Sequence, residues 1–351
     1  MIVPSPRPSL DARPSVSRAF GVLVVQSLQR HWRVRQMGWV SLGLLGLVVG
    51  WVFVWTHNPF GWKYSGWDLP DSPVRRGYPT YRAQAEMELL PGRYDPRRYD
   101  QKTPPQFSKF EAPSPFDPTR NSIQTLILSI PHAILRSERF VKDWGYMNFS
   151  RWVVLTTFLG FVLPLFTLSY ASAAFGTERE SRSLIWLMTR PIPRSGIYLA
   201  KLLGTLPWCL LFGVGGFAAM CWAGGEYGRM ALVMYWPIAI AGTVALTAFF
   251  HLIGAVFRRP VVVGLIYVFF FEALVALLPG SIKLLSLTFY ARSLMYNAAS
   301  AGGYPVDLLD QPNAITAVSS TTAWTVLVLA PLLLTMLGMW LFARSDYRDD
   351  V

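Results

Sequence analysis

The stretch that decides the fold is Ala173 to Gly204, "AAFGTERESRSLIWLMTRPIPRSGIYLAKLLG". It is a charged island between two apolar runs. Glu178, Arg179, Glu180 and Arg182 come first, then Pro191 and Pro193 between Arg190 and Arg194, then Lys201. Thr177 and Glu180 have the spacing of a capping box, in which each side chain satisfies the other's free amide. A helix is therefore expected to start at Thr177 with Leu184, Leu187 and Met188 on its apolar face. The two prolines end it, because proline cannot continue a helix. Ser195 is placed to cap the next helix, which runs into apolar sequence through Lys201. An ordinary hairpin whose arginines fix topology would need neither a capped helix nor a proline-stiffened end. The alternative is a segment built to dock against something.

The surroundings are membrane-like. The chain has 351 residues, of which 52% are hydrophobic and 15% charged, against about 25% charged in a soluble domain. Its 14 Trp and 22 Phe suit aromatic belts at lipid interfaces. The net charge of +12 gathers at the ends of apolar runs, which points to loop arginines rather than to nucleic acid. A span needs about 20 apolar residues. Six runs qualify, at 37–55, 152–175, 202–223, 231–256, 261–279 and 323–343. The fold class expected is all-α transmembrane, a six-helix bundle with a large Pro-rich loop at 56–151. Residues 280–322 are expected to form a re-entrant or surface helix (Ile282–Tyr290) and a loop, with 344–351 as a tail.

Lys and Arg in short loops set the orientation. Arg30, Arg33 and Arg35 precede the first span, the island carries five basic residues, Arg258 and Arg259 join the fourth and fifth spans, and Arg344 and Arg348 follow the sixth. With six spans all of these lie on one side, which places both termini and the island in the cytoplasm of a plasma or inner membrane. The long loop contains Pro59, Pro70, Pro104, Pro105 and Pro118 among others, which argues against long helices or central strands there. Asn121–Leu135 suits a short amphipathic helix.

Before the first span, residues 1–36 include Val16, Phe20, Leu23, Val24, Leu28 and Trp32 at helical spacing. They suggest an interfacial helix or an N-terminal extension of the first span. The N-terminus does not read as a signal peptide, since the first strong apolar run comes too late and is too long.

Cys209 and Cys221 share one run and are roughly 18 Å apart on one helix, too far to pair. Two ionisable residues fall within the spans. Glu272, in "VFFFEALVALLPG", must face protein or a cavity, because a carboxylate at membrane depth costs roughly 2.5–3.5 kcal/mol. It reads either as a pathway or gating residue or as a protonated inter-helix contact. His251 has the same two readings. Ala241 and Ala245 offer close helix packing. No catalytic or metal-ligand constellation is found, and there is no G-x-x-x-x-G-K-[ST] to hold nucleotide phosphates.

The island resembles a stretch that follows the second span in type-2 permeases of ATP-binding cassette (ABC) transporters. The matching residues are Glu178, Arg179, Glu180, Leu184, Leu187, Pro191, Arg194, Ile197 and Lys201, whereas Arg182 and Ser183 depart from the family's Gly-Thr. The six-span order, the interfacial helix and the Glu272 stretch with its "LPG" fit as well. The resemblance implies a permease subunit that couples ATP hydrolysis on a separate ATPase to substrate translocation, with export as the expected direction. It implies no enzymatic site and no cofactor of the chain's own, since ATP is bound by the partner. The expected partners are two ABC ATPase subunits, a second permease (identical or paralogous) and the lipid bilayer. The coupling interface is then 176–201, carried by Glu178, Arg179, Glu180, Leu184, Leu187, Pro191, Arg194 and Lys201. A polytopic scaffold without transport, or a membrane enzyme with its site in the outer loop, are the other classes considered.

Overall fold

A computed structural model describes residues 16–33, 35–57, 146–180, 192–270, 281–302 and 317–344. Every regular element among them is helical. Helix α1 spans Val16–Arg33 and α2 Arg35–His57. A π-helical stretch, Ser150–Val162, runs directly into α3, Leu163–Glu180. Then come α4 (Arg194–Ala223), α5 (Gly225–Val256), α6 (Pro260–Tyr267), α7 (Leu287–Ala301) and α8 (Ser320–Arg344).

Five stretches are long and apolar enough to cross a membrane: Gly38–His57, Tyr146–Gly176, Arg194–Ala223, Gly225–Val256 and Ser320–Arg344. They correspond to five of the six expected runs. The run at 261–279 is described only as far as Phe270, as α6 and one further π-like turn. Glu272 lies outside the described residues. So do residues 58–145, with the expected helix at Asn121–Leu135.

The passes from α2 to α5 fix two ends of the bundle. At one end, α4 and α5 are joined through a single residue, Gly224, and Gly225 has φ +60°. That left-handed conformation is cheap only for glycine. Phe149 presses on Gly224, where a Cβ would fall 2.2 Å from the ring, and His57 lies beside Gly225. At the other end α3 stops and α4 begins. This is called the segment end, because residues 181–191 leave and return there.

Small residues let the helices approach in the middle. A Cβ on Gly254 of α5 would sit 3.2 Å from Ser172 Cα and its carbonyl oxygen on α3, and one on Gly213 of α4 would sit 2.9 Å from Thr243 Oγ1 on α5. Such sites replace the hydrophobic driving force that lipid cannot supply. Ala245, expected to pack closely, is buried, whereas Ala241 is only partly so. Around them lies one aromatic core with Phe158, Phe166, Tyr170, Phe212, Phe217 and Phe250.

The sequence reading needs several corrections. The pass expected from residue 152 begins at Tyr146, so 146–151 do not belong to the long loop. The run expected from residue 231 begins at Gly225, so Arg229 lies inside α5 and only Gly224 separates that helix from α4. The helix expected to begin at Thr177 is the end of α3, which continues unbroken through Glu180; a capping-box spacing stays silent when the preceding residues are already helical. Ser195 does not cap α4. The cap position is Pro193, extended at φ −60°, ψ 142°, and Arg194 opens the helix. Between Ser281 and Leu285 there is a 3₁₀ turn, after which Ser286 caps α7 by accepting from the Phe289 amide at 3.1 Å. Of the two forms expected there, re-entrant or surface, burial of Phe289, Ala291, Leu294, Met295 and Ala299 on α7 argues against the surface one.

The helical stripe read before the first span falls on α1. Leu23 is buried, and Phe20 and Val24 pack beside it. Ser27 sits against Gly204 of α4, and Trp208 Nε1 donates to the Leu28 carbonyl at 3.0 Å. Val16, at the start of the predicted stripe, is exposed.

Candidate functional site at the segment end

The first two turns of α4 are where the inner ends of the other helices meet. Arg194, the first helical residue, places Nη1 3.5 Å from the Ala343 carbonyl. That carbonyl lies in the last turn of α8, where helical C=O groups lack intrahelical partners and a cation is favoured. One turn on, Ile197 and Tyr198 enter a cluster with Phe175, Ala174, Ile192, Leu23, Ala255 and Phe342. Tyr198 stacks on Phe175 with ring centroids 5.9 Å apart and meets His251 edge-on at 4.7 Å. Phe342 closes the box, 5.0 Å from Phe175. A Cβ on Gly338 of α8 would fall 2.1 Å from the Tyr198 hydroxyl, so only glycine allows α8 this close.

His251 is fully buried. Its Nε2 lies 3.3 Å from the Tyr198 carbonyl, and with the proton on Nε2 the imidazole donates to it. His251 thus lies in the packing between α4 and α5.

Lys201 comes a further turn along α4 and is 2% exposed. Its Nζ donates to the Ala174 carbonyl at 2.8 Å and pairs with the Glu178 carboxylate. The ammonium also stands 4.8 Å from the centroid of the Phe175 ring. Glu178 is itself 8% exposed. These three contacts lie in the last two turns of α3. A buried ammonium needs such partners, since an unpaired charge is costly to bury.

Of the residues expected to form an interface, the structure thus draws Glu178, Lys201 and Arg194 into contacts within the chain. Leu184, Leu187 and Pro191 lie outside the described residues, and the side chains of Arg179 and Glu180 are not described. Burial takes Glu178 and Lys201 off the surface a partner would touch. The clue was present in the sequence. A Lys one turn into an apolar run must find a carboxylate or carbonyls, and Glu178 closes the preceding run. Tyr198 carried no such signal, because nothing in "SGIYLAK" marks its ring as the centre of an aromatic box.

Across the bundle, the thirteen-residue π-helix Ser150–Val162 is another feature the sequence did not announce. Thr156 and Thr157 donate to the carbonyls of Arg151 and Trp152 at 2.8 Å, five residues back. Arg292 of α7 reaches the Leu155 carbonyl of the same stretch at 3.2 Å. Among the described residues, no three His, Cys, Asp or Glu side chains converge as metal ligands would. Cys209 and Cys221 are free and buried.

A chain whose described residues are all helical in their regular elements, with five membrane-length helices among them, a core of close-packed small residues and a buried ion pair at one end, is an integral, multi-pass membrane protein. It belongs to the ABC-2 transporter family: the family model described as "ABC-2 family transporter protein" matches residues 64–347, most of the chain. The match begins after α1 and α2. No curated protein matches the chain. Membership makes the chain an ABC transporter permease, a membrane component of transport that works with an ABC ATPase.

Proposed function

We propose that the chain couples ATP hydrolysis on a separate ATPase subunit to export of a substrate, with segment 177–201 as the element the ATPase pushes. The observation that carries this reading is the junction at the start of α4. The segment returns into a helix whose first two turns touch α1, α3, α5 and α8 through Leu23, Phe175, His251 and Phe342. A load applied there reaches four other helices within about 10 Å, two turns at 5.4 Å pitch. A loop that only fixed topology would not need that connection.

In this reading Leu184 and Leu187 bury against the ATPase, and Arg179 and Glu180 set its register. Two permease chains and two ATPases form the working unit. Six crossings are supported by parity. The segment end holds the end of α5, and Pro260 at the start of α6 packs on Gly176 there. The segment end also holds Phe342 near the end of α8, so Ser320, some 22 residues earlier, lies at the opposite end. In this reading residues 257–319 supply the remaining crossing. Short-loop arginines put the segment end in the cytoplasm. Glu272 then falls in that crossing and faces the bundle or a cavity.

The test is co-purification of the ATPase with wild type and with Leu187→Asp, together with a check of membrane insertion. Truncating a central interface leucine costs about 1–2 kcal/mol, roughly tenfold in affinity, and an unpaired charge costs more. Leu187→Asp should insert normally and lose the ATPase. Normal ATPase binding by this variant would reduce the segment to a topology loop.

A further inference from the structure

The Glu178–Lys201 pair brackets the excursion. It joins the last residues of α3 to the third turn of α4. We propose that this buried pair is the joint that makes the two stems of the segment move as one body; the inference rests on the coupling reading above.

Three observations support a joint rather than a filler. The pair is attached at two points on one face of α3: Lys201 holds both the Glu178 carboxylate and, one turn earlier, the Ala174 carbonyl. A sliding displacement of α4 along α3 would break one or both, whereas a common displacement breaks neither. The contacts are also directional. Apolar side chains at the same depth would fill the space while allowing the helices to shift in register. Finally, a buried ion pair is a poor device for stability alone, because well-packed apolar residues of similar volume usually do as well or better. The Tyr198–Phe175 stack lies between the pair and the start of α4 and reinforces the same two helices.

Pushed from the segment, stems joined in this way transmit displacement to α3 and α4 together. Without the joint, the load is absorbed as slip between them. Glu178 and Lys201 are thus positioning residues and touch neither nucleotide nor substrate.

The experiment uses the full chain assembled with its ABC ATPase in lipid nanodiscs. Spin labels at Trp222→Cys and Trp324→Cys, both exposed and far from the segment end, report the distance between α4 and α8; the native cysteines are buried and stay unlabelled. The distance is measured without nucleotide and with ATP plus vanadate. In the double variant Glu178→Met/Lys201→Met, which removes both charges and keeps the volume, the ATPase should bind as in wild type, while the ATP-driven distance change is largely lost. A wild-type distance change in the assembled double variant overturns the joint and leaves the coupling reading standing. Should the double variant fail to assemble, Glu178→Gln keeps the shape and weakens the pair. It should lose much of the change, and full retention overturns the joint. A wild-type complex with no ATP-driven change sinks the coupling reading and the joint with it.

Discussion

Helices α5 and α8 draw on much the same apolar residues, but the protein uses them in opposite ways. In α5, 72% of the most apolar stretch is buried against the rest of the chain; in α8 the figure is 17%. The difference lies in size rather than in apolarity. Toward its neighbours α5 turns Ala239, Gly242, Thr243, Ala245, Thr247, Ala248 and Gly254, and helix axes approach closely over such residues. A single seam of α8 is buried, Ala323, Leu327, Pro331, Gly338 and Phe342, and the rest of its surface is large: Leu329, Leu332, Leu333, Met336, Trp340. Hydropathy finds both helices and cannot rank them. The distribution of small side chains can.

The sharpest way to break that comparison is at Gly254. Leucine there would drive a side chain into the Ser172 backbone, already 3.2 Å from where a Cβ would stand. Overpacking of this kind costs typically 1–3 kcal/mol, and here a main chain must move. Gly254→Leu should lower the melting midpoint followed by fluorescence-detected size exclusion more than any substitution on the exposed face of α8. An unchanged midpoint would mean that the central packing is loose.

A smaller effect is expected at Trp208, which ties α1 to the bundle. Trp208→Phe keeps a ring beside Tyr170, 6.4 Å away and nearly parallel, but removes the donor to the Leu28 carbonyl. The loss should be about 0.5–1.5 kcal/mol, confined to α1. Hydrogen–deuterium exchange of residues 20–30 should quicken while that of α5 does not change. A uniform response over the chain would show that α1 is integral to the bundle core rather than docked on it.

The smallest effect belongs to Leu333, which is 63% exposed. Leu333→Ala should shift stability by no more than about 0.5 kcal/mol, as surface changes usually do. A large drop in the same melting assay would identify a second protein chain, rather than lipid, against this face of α8.

Much of the architecture could be read from sequence, because apolar run length is a direct consequence of bilayer thickness. Five runs reappear as membrane-length helices, and α1 emerges where a helical stripe was seen. What failed was punctuation. Thr177 and Ser195 have good capping chemistry, but the helix they were expected to start was already under way, or had begun one residue earlier at Arg194. Capping spacing identifies a possible start; only the conformation of the preceding residues decides whether it is used. Two residues of the expected interface turn inward instead. Glu178 and Lys201 were taken as surface charges, although 23 positions of sequence separation hid the fact that they face each other. The thirteen-residue π-helix had no local sign at all, since its hydrogen bonds shift register without changing composition.

The one-residue link at Gly224 restricts how this molecule can deform. With α4 and α5 joined through a single position, and a Cβ on Gly228 falling 1.8 Å from the Cys221 carbonyl oxygen, the tips of the two helices cannot part. They form a hairpin sprung shut at its bend, like tweezers held by the closed end. If a gap opens on that face of the membrane, it opens by other elements swinging away from this hairpin, whose own tip stays closed.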